Sequence, residues 1–232
     1  MKNDRRKFMV NFSKFGLALY MVPPTFGAEI FKGEKMKVLI IGANGSLAKW
    51  VINEFLQTTD VNLKLFLRKS KRLERLKSDR VELFEGDATD KNTLKEAMKD
   101  VDIVYANLAG DLVKMAKMLV EAMNESGLKR VIWVSSYGIY GETAMGSLKN
   151  ILVPYRDSVL LIEASDLDYT IIRPQWFSSA DEVDYEITKK GEPFKNPDAY
   201  ISRKSIAHFV VRLAKEPNFG IKESFGINKP AR

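Results

Sequence analysis

From residue 36 onward, short apolar runs alternate with stretches whose apolar residues recur every three or four positions. One run starts at Lys37 and stops at Gly42. Others cover Leu63–Leu67, Val81–Phe84, Ile103–Ala106, Val131–Val134 and Tyr169–Ile172, each with the length and composition of a strand. Helical spacing follows Ala48, where Trp50, Val51, Ile52, Phe55 and Leu56 share a face, and returns at Asn92–Lys99 and Leu112–Ser126. Met115, Met118 and Met123, with Leu119 and Ala122, repeat at that spacing and read as core packing. Strands separated by helices need right-handed crossovers, which predicts a parallel sheet covered on both faces. No repeat, low-complexity tract or flexible linker breaks residues 36–232. The pattern predicts one α/β domain, a doubly wound parallel sheet with a small C-terminal lobe from about residue 174.

Composition removes several chemistries. The 232 residues, 45% hydrophobic and 29% charged, suffice for one sizeable core. No apolar run reaches about eighteen residues, so no stable membrane insertion is predicted. With no cysteine, disulfides, thiol nucleophiles and cysteine-ligated metals are excluded. A single histidine, His208, argues against a histidine-rich metal site or a Ser–His triad; no metal is expected. Lying beside Phe209, Val210 and Val211, His208 reads as structural. The net charge of +7 suggests nucleic acid until it is divided: residues 1–35 hold seven Lys/Arg and three Asp/Glu, or +4, and the other 197 carry +3. The one dense basic patch, Arg68–Arg75, belongs to no recognition helix, and no nucleic-acid partner is expected.

Residues 1–35 read separately from the domain. They combine a basic start, a short apolar stretch at Phe15–Val22 and small residues at Gly27 and Ala28, the layout of a secretory leader. Arg5-Arg6-Lys7-Phe8-Met9 resembles a twin-arginine export signal, although Asp4 and Phe26 depart from that pattern. A genuine leader predicts a periplasmic protein; a chain starting at Met36 stays in the cytoplasm.

The most informative segment is Lys37–Ala48, KVLIIGANGSLA. Gly42, Gly45 and Ala48 fall at a G-x-x-G-x-x-A spacing between a strand and a helix. That arrangement presents backbone N–H groups of Gly42, Asn44, Gly45, Ser46 and Leu47 and a helix N-terminus to a pyrophosphate. Gly42 permits the tight turn, Gly45 lets the backbone approach the phosphates, and Ala48 lets the helix sit close to the strand. The spacing differs from G-x-G-x-x-G, with Asn44 and Gly45 where that pattern has a glycine and a variable residue. The next strand ends in Arg68-Lys69-Ser70, where an NAD-selective site carries an acid for the ribose 2′-hydroxyl. A guanidinium and an ammonium pair instead with a 2′-phosphate, so NADP(H) is the expected cofactor. The bland alternative is a pair of solvated cations at a helix start.

With these features the chain resembles the short-chain dehydrogenase/reductase superfamily, extended or atypical, over about residues 36–230. The likeness rests on GANGSLA, on Gly86-Asp87, on Ala106-Asn107-Leu108-Ala109-Gly110, and on Val134-Ser135-Ser136 followed by Tyr140-Gly141. It also rests on Asp168–Pro174 and Ser202–Ala207, similar to atypical members that bind NAD(P)H. The resemblance implies a Rossmann-like, NAD(P)-binding fold in which Asp87 contacts the adenine, Asn107–Gly110 passes near the ribose, and Ser135 and Ser136 lie by the nicotinamide.

Active members of that superfamily use Ser, Tyr and Lys, the last two spaced Tyr-x-x-x-Lys, the lysine lowering the phenol's pKa. The candidates here are Ser136 and Tyr155, in Pro154-Tyr155-Arg156-Asp157-Ser158-Val159, but Val159 occupies the lysine position. Arg156 lies elsewhere on the helix and does not substitute. Tyr185–Lys189 and Tyr200–Lys204 repeat the spacing by coincidence. Trp176, after Pro174-Gln175, either walls a substrate pocket or packs in the core. Without the Tyr–Lys pair, the expected activity is NADPH-dependent reduction of a small conjugated acceptor, such as a flavin or quinone. The alternatives are a non-catalytic NADP(H)-responsive regulator of the NmrA-like type and, third, a sugar-nucleotide epimerase. The substrate's identity and the oligomeric state stay open.

Overall fold

A computed structural model describes residues 35–142 and 148–231. The predicted leader at residues 1–35 lies outside them save for Lys35. The six apolar runs form strands β1 (Lys37–Ile41), β2 (Asn62–Leu67), β3 (Val81–Glu85), β4 (Ile103–Ala106), β5 (Arg130–Val134) and β6 (Asp168–Pro174). Two pieces of the C-terminal lobe, β8 (Glu186–Thr188) and β10 (Glu223–Asn228), extend the sheet to eight strands in the order 3-2-1-4-5-6-10-8. Pairing is parallel throughout except at the edge, where β8 runs antiparallel to β10. A separate parallel pair joins β7 (Phe177–Ser178) to β9 (Ile201–Ser202).

Helices cover both faces because each central strand is apolar on both. In β1, Val38 and Ile40 point into the core under α1 (Ser46–Thr58) and α5 (Arg203–Lys215), beside Val51, Phe55, Phe209 and Leu213. Leu39 and Ile41 point the other way, towards α2 (Lys91–Ala97), α3 (Leu112–Ser126) and α4 (Val153–Glu163), among Leu94, Leu119, Trp133 and Val159. Burying each such aliphatic side chain contributes about 1.5–3 kcal/mol, which sets the scale of what holds the layers together. Met123 is fully buried in this second core, with Met115 and Met118 packed against it, as their helical spacing predicted.

Helix ends follow local chemistry. Asp90 caps α2 by accepting from the N–H groups of Asn92 and Thr93, Asp111 caps α3 through Lys114 N–H, and Ser202 caps α5 through Ser205 N–H. Gly127 closes α3 in the left-handed conformation. At α1 no side chain caps the N-terminus and no acid sits in the first turn. The basic segment after β2 is a short 3₁₀ turn, Ser70–Leu76.

Candidate functional site

The chain leaves β1 for β2 on one side and later returns through β4 on the other, so the exit loops of β1 and β4 diverge. In a doubly wound sheet such a reversal opens a crevice at the carboxyl ends of the strands. The glycine turn enters it from β1. Gly42 has φ +82°, and a Cβ there would lie 2.1 Å from the Asn107 carbonyl oxygen. At Gly45 an added Cβ would meet Asn107 Nδ2 at 3.0 Å and the Gly42 carbonyl at 3.2 Å. Both glycines therefore answer first to the close approach of the β4 exit loop, whose Asn107 N–H donates to the Ile41 carbonyl at 3.0 Å. That refines the reading of Gly45, which placed a ligand, not Asn107, against it.

Gly45 N–H donates to the Gly42 carbonyl at 2.9 Å and closes the turn. Asn44 is half-buried, Ser46 exposed and Leu47 buried in the core, so Leu47 has only its backbone to offer a ligand. Ala48 is fully buried against the sheet. The uncapped first turn of α1 carries the N–H groups that an isolated helix leaves without partners, and the helix dipole favours an anion there.

Arg68 and Lys69 lie just past β2, both exposed, with no side-chain hydrogen bond or ion pair among the described residues. Behind them Ser70 donates to Glu85 Oε2 from its N–H and from its hydroxyl, each at 2.7 Å. Asp87 accepts from Thr89 N–H at 2.8 Å and Thr89 Oγ1 at 2.9 Å. These bonds hold its carboxyl below the usual carboxylate range, with Arg68 and Lys114 adding positive charge nearby. Glu85, Thr89, Lys114 and the donor role of Ser70 escaped the sequence reading. The meeting of Ser70 with Glu85 depends on the β2–β3 register, which sets Leu67 beside Glu85 and which no local pattern announces.

At the end of β5, Ser135 N–H donates to the Ile172 carbonyl at 2.8 Å. Its hydroxyl is buried without a hydrogen-bond partner among the described residues. Ser136 is half-buried and donates to the Tyr137 carbonyl at 3.3 Å. Tyr155 lies in the first turns of α4, half-buried against the core. Val159 is fully buried among apolar residues, so the lysine position is filled by core and no ammonium reaches Tyr155 from it. Arg156 pairs with Asp157 at 2.6 Å. The coincidental spacings bring no pair together either. Tyr185 bonds His208 Nδ1 at 3.1 Å, Lys189 pairs with Glu223 at 3.4 Å, and Lys204 pairs with Asp181 at 2.6 Å.

Core packing for Trp176 is overturned: it is 74% exposed. Its carbonyl accepts from Ile201 N–H at 2.9 Å, which sets it beside Tyr200, itself 60% exposed. An open depression of about 620 Å³, lined by Met36, Gln57–Val61 and Lys215, lies at the opposite, amino edge of β1 and gathers no catalytic group. The glycine turn, the bare helix start and the orphaned Ser135 hydroxyl fit a dinucleotide at the carboxyl edge.

A family profile described as NAD(P)H-binding matches residues 42–217. The chain belongs to this NAD(P)H-binding family. It is a Rossmann-fold protein of the atypical, NmrA-like kind of short-chain dehydrogenase/reductase. A solved Rossmann-fold NAD(P)-binding family protein from Shigella flexneri is 37% identical with a TM-score of 0.76, over 85% of this chain and 95% of that one. A short-chain dehydrogenase/reductase from Veillonella parvula, solved in complex with NADP, is 25% identical with a TM-score of 0.77, over 85% and 96%. Among curated proteins, an isoflavone reductase homolog from Nicotiana glauca is 25% identical over 206 residues, 79% of this chain. The chain spans 66% of that relative's length and 50% of a similar protein from Nicotiana tabacum. No helix among the described residues is long and apolar enough to cross a membrane.

Proposed function

We propose that this chain is an NADP(H)-dependent reductase that delivers hydride to a small conjugated acceptor such as a flavin or quinone. The observation that carries the reading is the exposed cationic pair Arg68 and Lys69 at the end of β2, beside an uncapped α1 and a glycine turn. Asn44, Ser46 and Leu47 hold the pyrophosphate through backbone N–H groups, while Gly42 and Gly45, whose N–H groups donate to the Phe66 and Gly42 carbonyls, shape the turn that presents them. Arg68 and Lys69 take the 2′-phosphate, Asp87 the adenine, Asn107 the ribose and Ser135 the nicotinamide end. When bound, the nicotinamide supplies a hydride. Names of relatives support the reductase class: an isoflavone reductase homolog and a phenylcoumaran benzylic ether reductase both match this chain.

The choice of acceptor follows from what the proton side lacks. Ser136 and Tyr155 contact the acceptor and orient it, but buried Val159 supplies no ammonium to ease the phenol's ionisation. Acceptors that spread the incoming charge and take their proton from solvent need little more than alignment. Trp176 offers an exposed indole on which a flat ring can stack. The test is loss of NADPH absorbance with a panel of flavins, quinones and simple ketones. Acceleration with conjugated acceptors and none with ketones is expected; no acceleration with any acceptor overturns the catalytic reading. Arg68→Asp lowers NADPH affinity about tenfold or more and leaves NADH nearly unchanged; equal losses refute the phosphate assignment.

The filled lysine position also favours a second reading, a non-catalytic protein whose partner affinity changes with NADP(H). It predicts tight cofactor binding without turnover, and a set of co-purifying proteins that changes when NADPH is added.

A further inference from the structure

Glu85 ends β3 in register with Leu67, which places it beside the turn Arg68-Lys69-Ser70. One of its oxygens receives both donors of Ser70 at 2.7 Å. An oxyanion held by a backbone N–H and a hydroxyl together is the arrangement a phosphate oxygen commonly meets in a nucleotide site. The turn thus already grips an anion, and that anion is the protein's own. Ser70's bonds, followed by Lys71 and Lys69, keep the Glu85 carboxyl below the usual carboxylate range, so the charge persists at neutral pH. The neighbouring acid, Asp87, is engaged by Thr89 and leaves Ser70 to Glu85.

We propose that Glu85 is a specificity-determining residue that restrains binding of the 2′-phosphorylated cofactor, by occupying the Ser70 donors and sharing the charge of Lys69 and Lys71. The inference rests on the NADP(H) reading above. A 2′-phosphate drawn to Arg68 and Lys69 meets the Glu85 carboxylate held against that turn from β3, and like charges at short range oppose each other. A 2′-hydroxyl meets no such repulsion. Glu85 therefore narrows the advantage of NADPH over NADH that the two cations create, which the absence of an acid at the end of β2 does not reveal.

Calorimetry on the full chain tests this with four probes: NADPH, NADH, 2′,5′-ADP and 5′-AMP, titrated into wild type, Glu85→Gln and Glu85→Ala. Glu85→Gln keeps a carbonyl for Ser70 and removes only the charge, so it decides the matter if Glu85→Ala loosens the turn. NADPH and 2′,5′-ADP bind about threefold to tenfold more tightly to the variants, NADH and 5′-AMP stay within about twofold, and the gain shrinks in high salt. All four probes moving together, or none moving in a variant that unfolds at the wild-type temperature, overturns the role of Glu85. Wild type that binds no probe overturns the NADP(H) reading itself, and that result is visible before any variant is made.

Discussion

Gly42 and Gly127 both adopt positive φ, +82° and +74°, yet they meet different surroundings. Around Gly127 an added Cβ finds nothing within 4 Å, so Gly127→Ala costs only the left-handed backbone, about 1 kcal/mol. At Gly42 the same Cβ runs into the Asn107 carbonyl, a backbone atom that cannot step aside without moving the exit of β4. Gly42→Ala is expected to cost about 3 kcal/mol or more in urea unfolding and to abolish NADPH binding in a parallel titration. Wild-type stability in that variant would show the turn to be slack. The glycine itself was readable from spacing; the carbonyl that demands it comes from a residue 65 positions away. Val159 divides the same way. The missing lysine is visible in the sequence, while its complete enclosure is a property of the packed helix.

Among the elements, α2 is a seven-residue helix with little apolar face of its own, and charge helps tie it to α3. Lys91 and Lys95 donate to opposite oxygens of Glu125 at 2.7 and 2.6 Å. These bonds pull the Glu125 carboxyl from the usual 4.5 down to about 2. A depressed folded value means the contribution is fully present above the unfolded value and is lost as pH falls through the folded one. Glu125→Gln is therefore expected to lower the melting temperature slightly at neutral pH and to flatten its fall between pH about 4.5 and 2. Curves that stay parallel across that window would show the bridge to be decorative. The helical stretches of α2 and α3 were legible as local patterns, but the partnership of α2 with α3 was not.

Across the whole domain, a buried polar cluster ties the C-terminal lobe to the sheet alongside the packing of α5. Arg173 on β6 is fully buried and pairs with Glu142, just past the Ser135–Gly141 segment. Its Nε donates to Ser224 on β10 at 3.1 Å, and its Nη2 to the Lys189 carbonyl at 3.2 Å. Tyr140 donates to Glu163 at 2.7 Å, and burial followed by Glu163 keeps its phenol protonated well above the usual range. Tyr137 stacks on Phe194 with ring centres 4.0 Å apart. Glu142→Ala strands the Arg173 charge in the interior and is expected to cost about 3–5 kcal/mol by denaturant titration. The double change Glu142→Leu, Arg173→Met recovers most of that loss, since removing both charges removes the uncompensated burial; an additive loss would contradict this account.

Strand and helix periods, the glycine turn and the cationic end of β2 are written in neighbouring residues, because side-chain alternation and turn geometry are local properties of the chain. They were enough to name the layers, the crevice-forming turn and the class of ligand. Which oxygen faces Ser70, why Gly42 tolerates no Cβ and how Arg173 finds Glu142 depended on register and packing between segments tens of residues apart. Those juxtapositions arise only when separate strands pair and the two cores close around them, so the tertiary structure decided them.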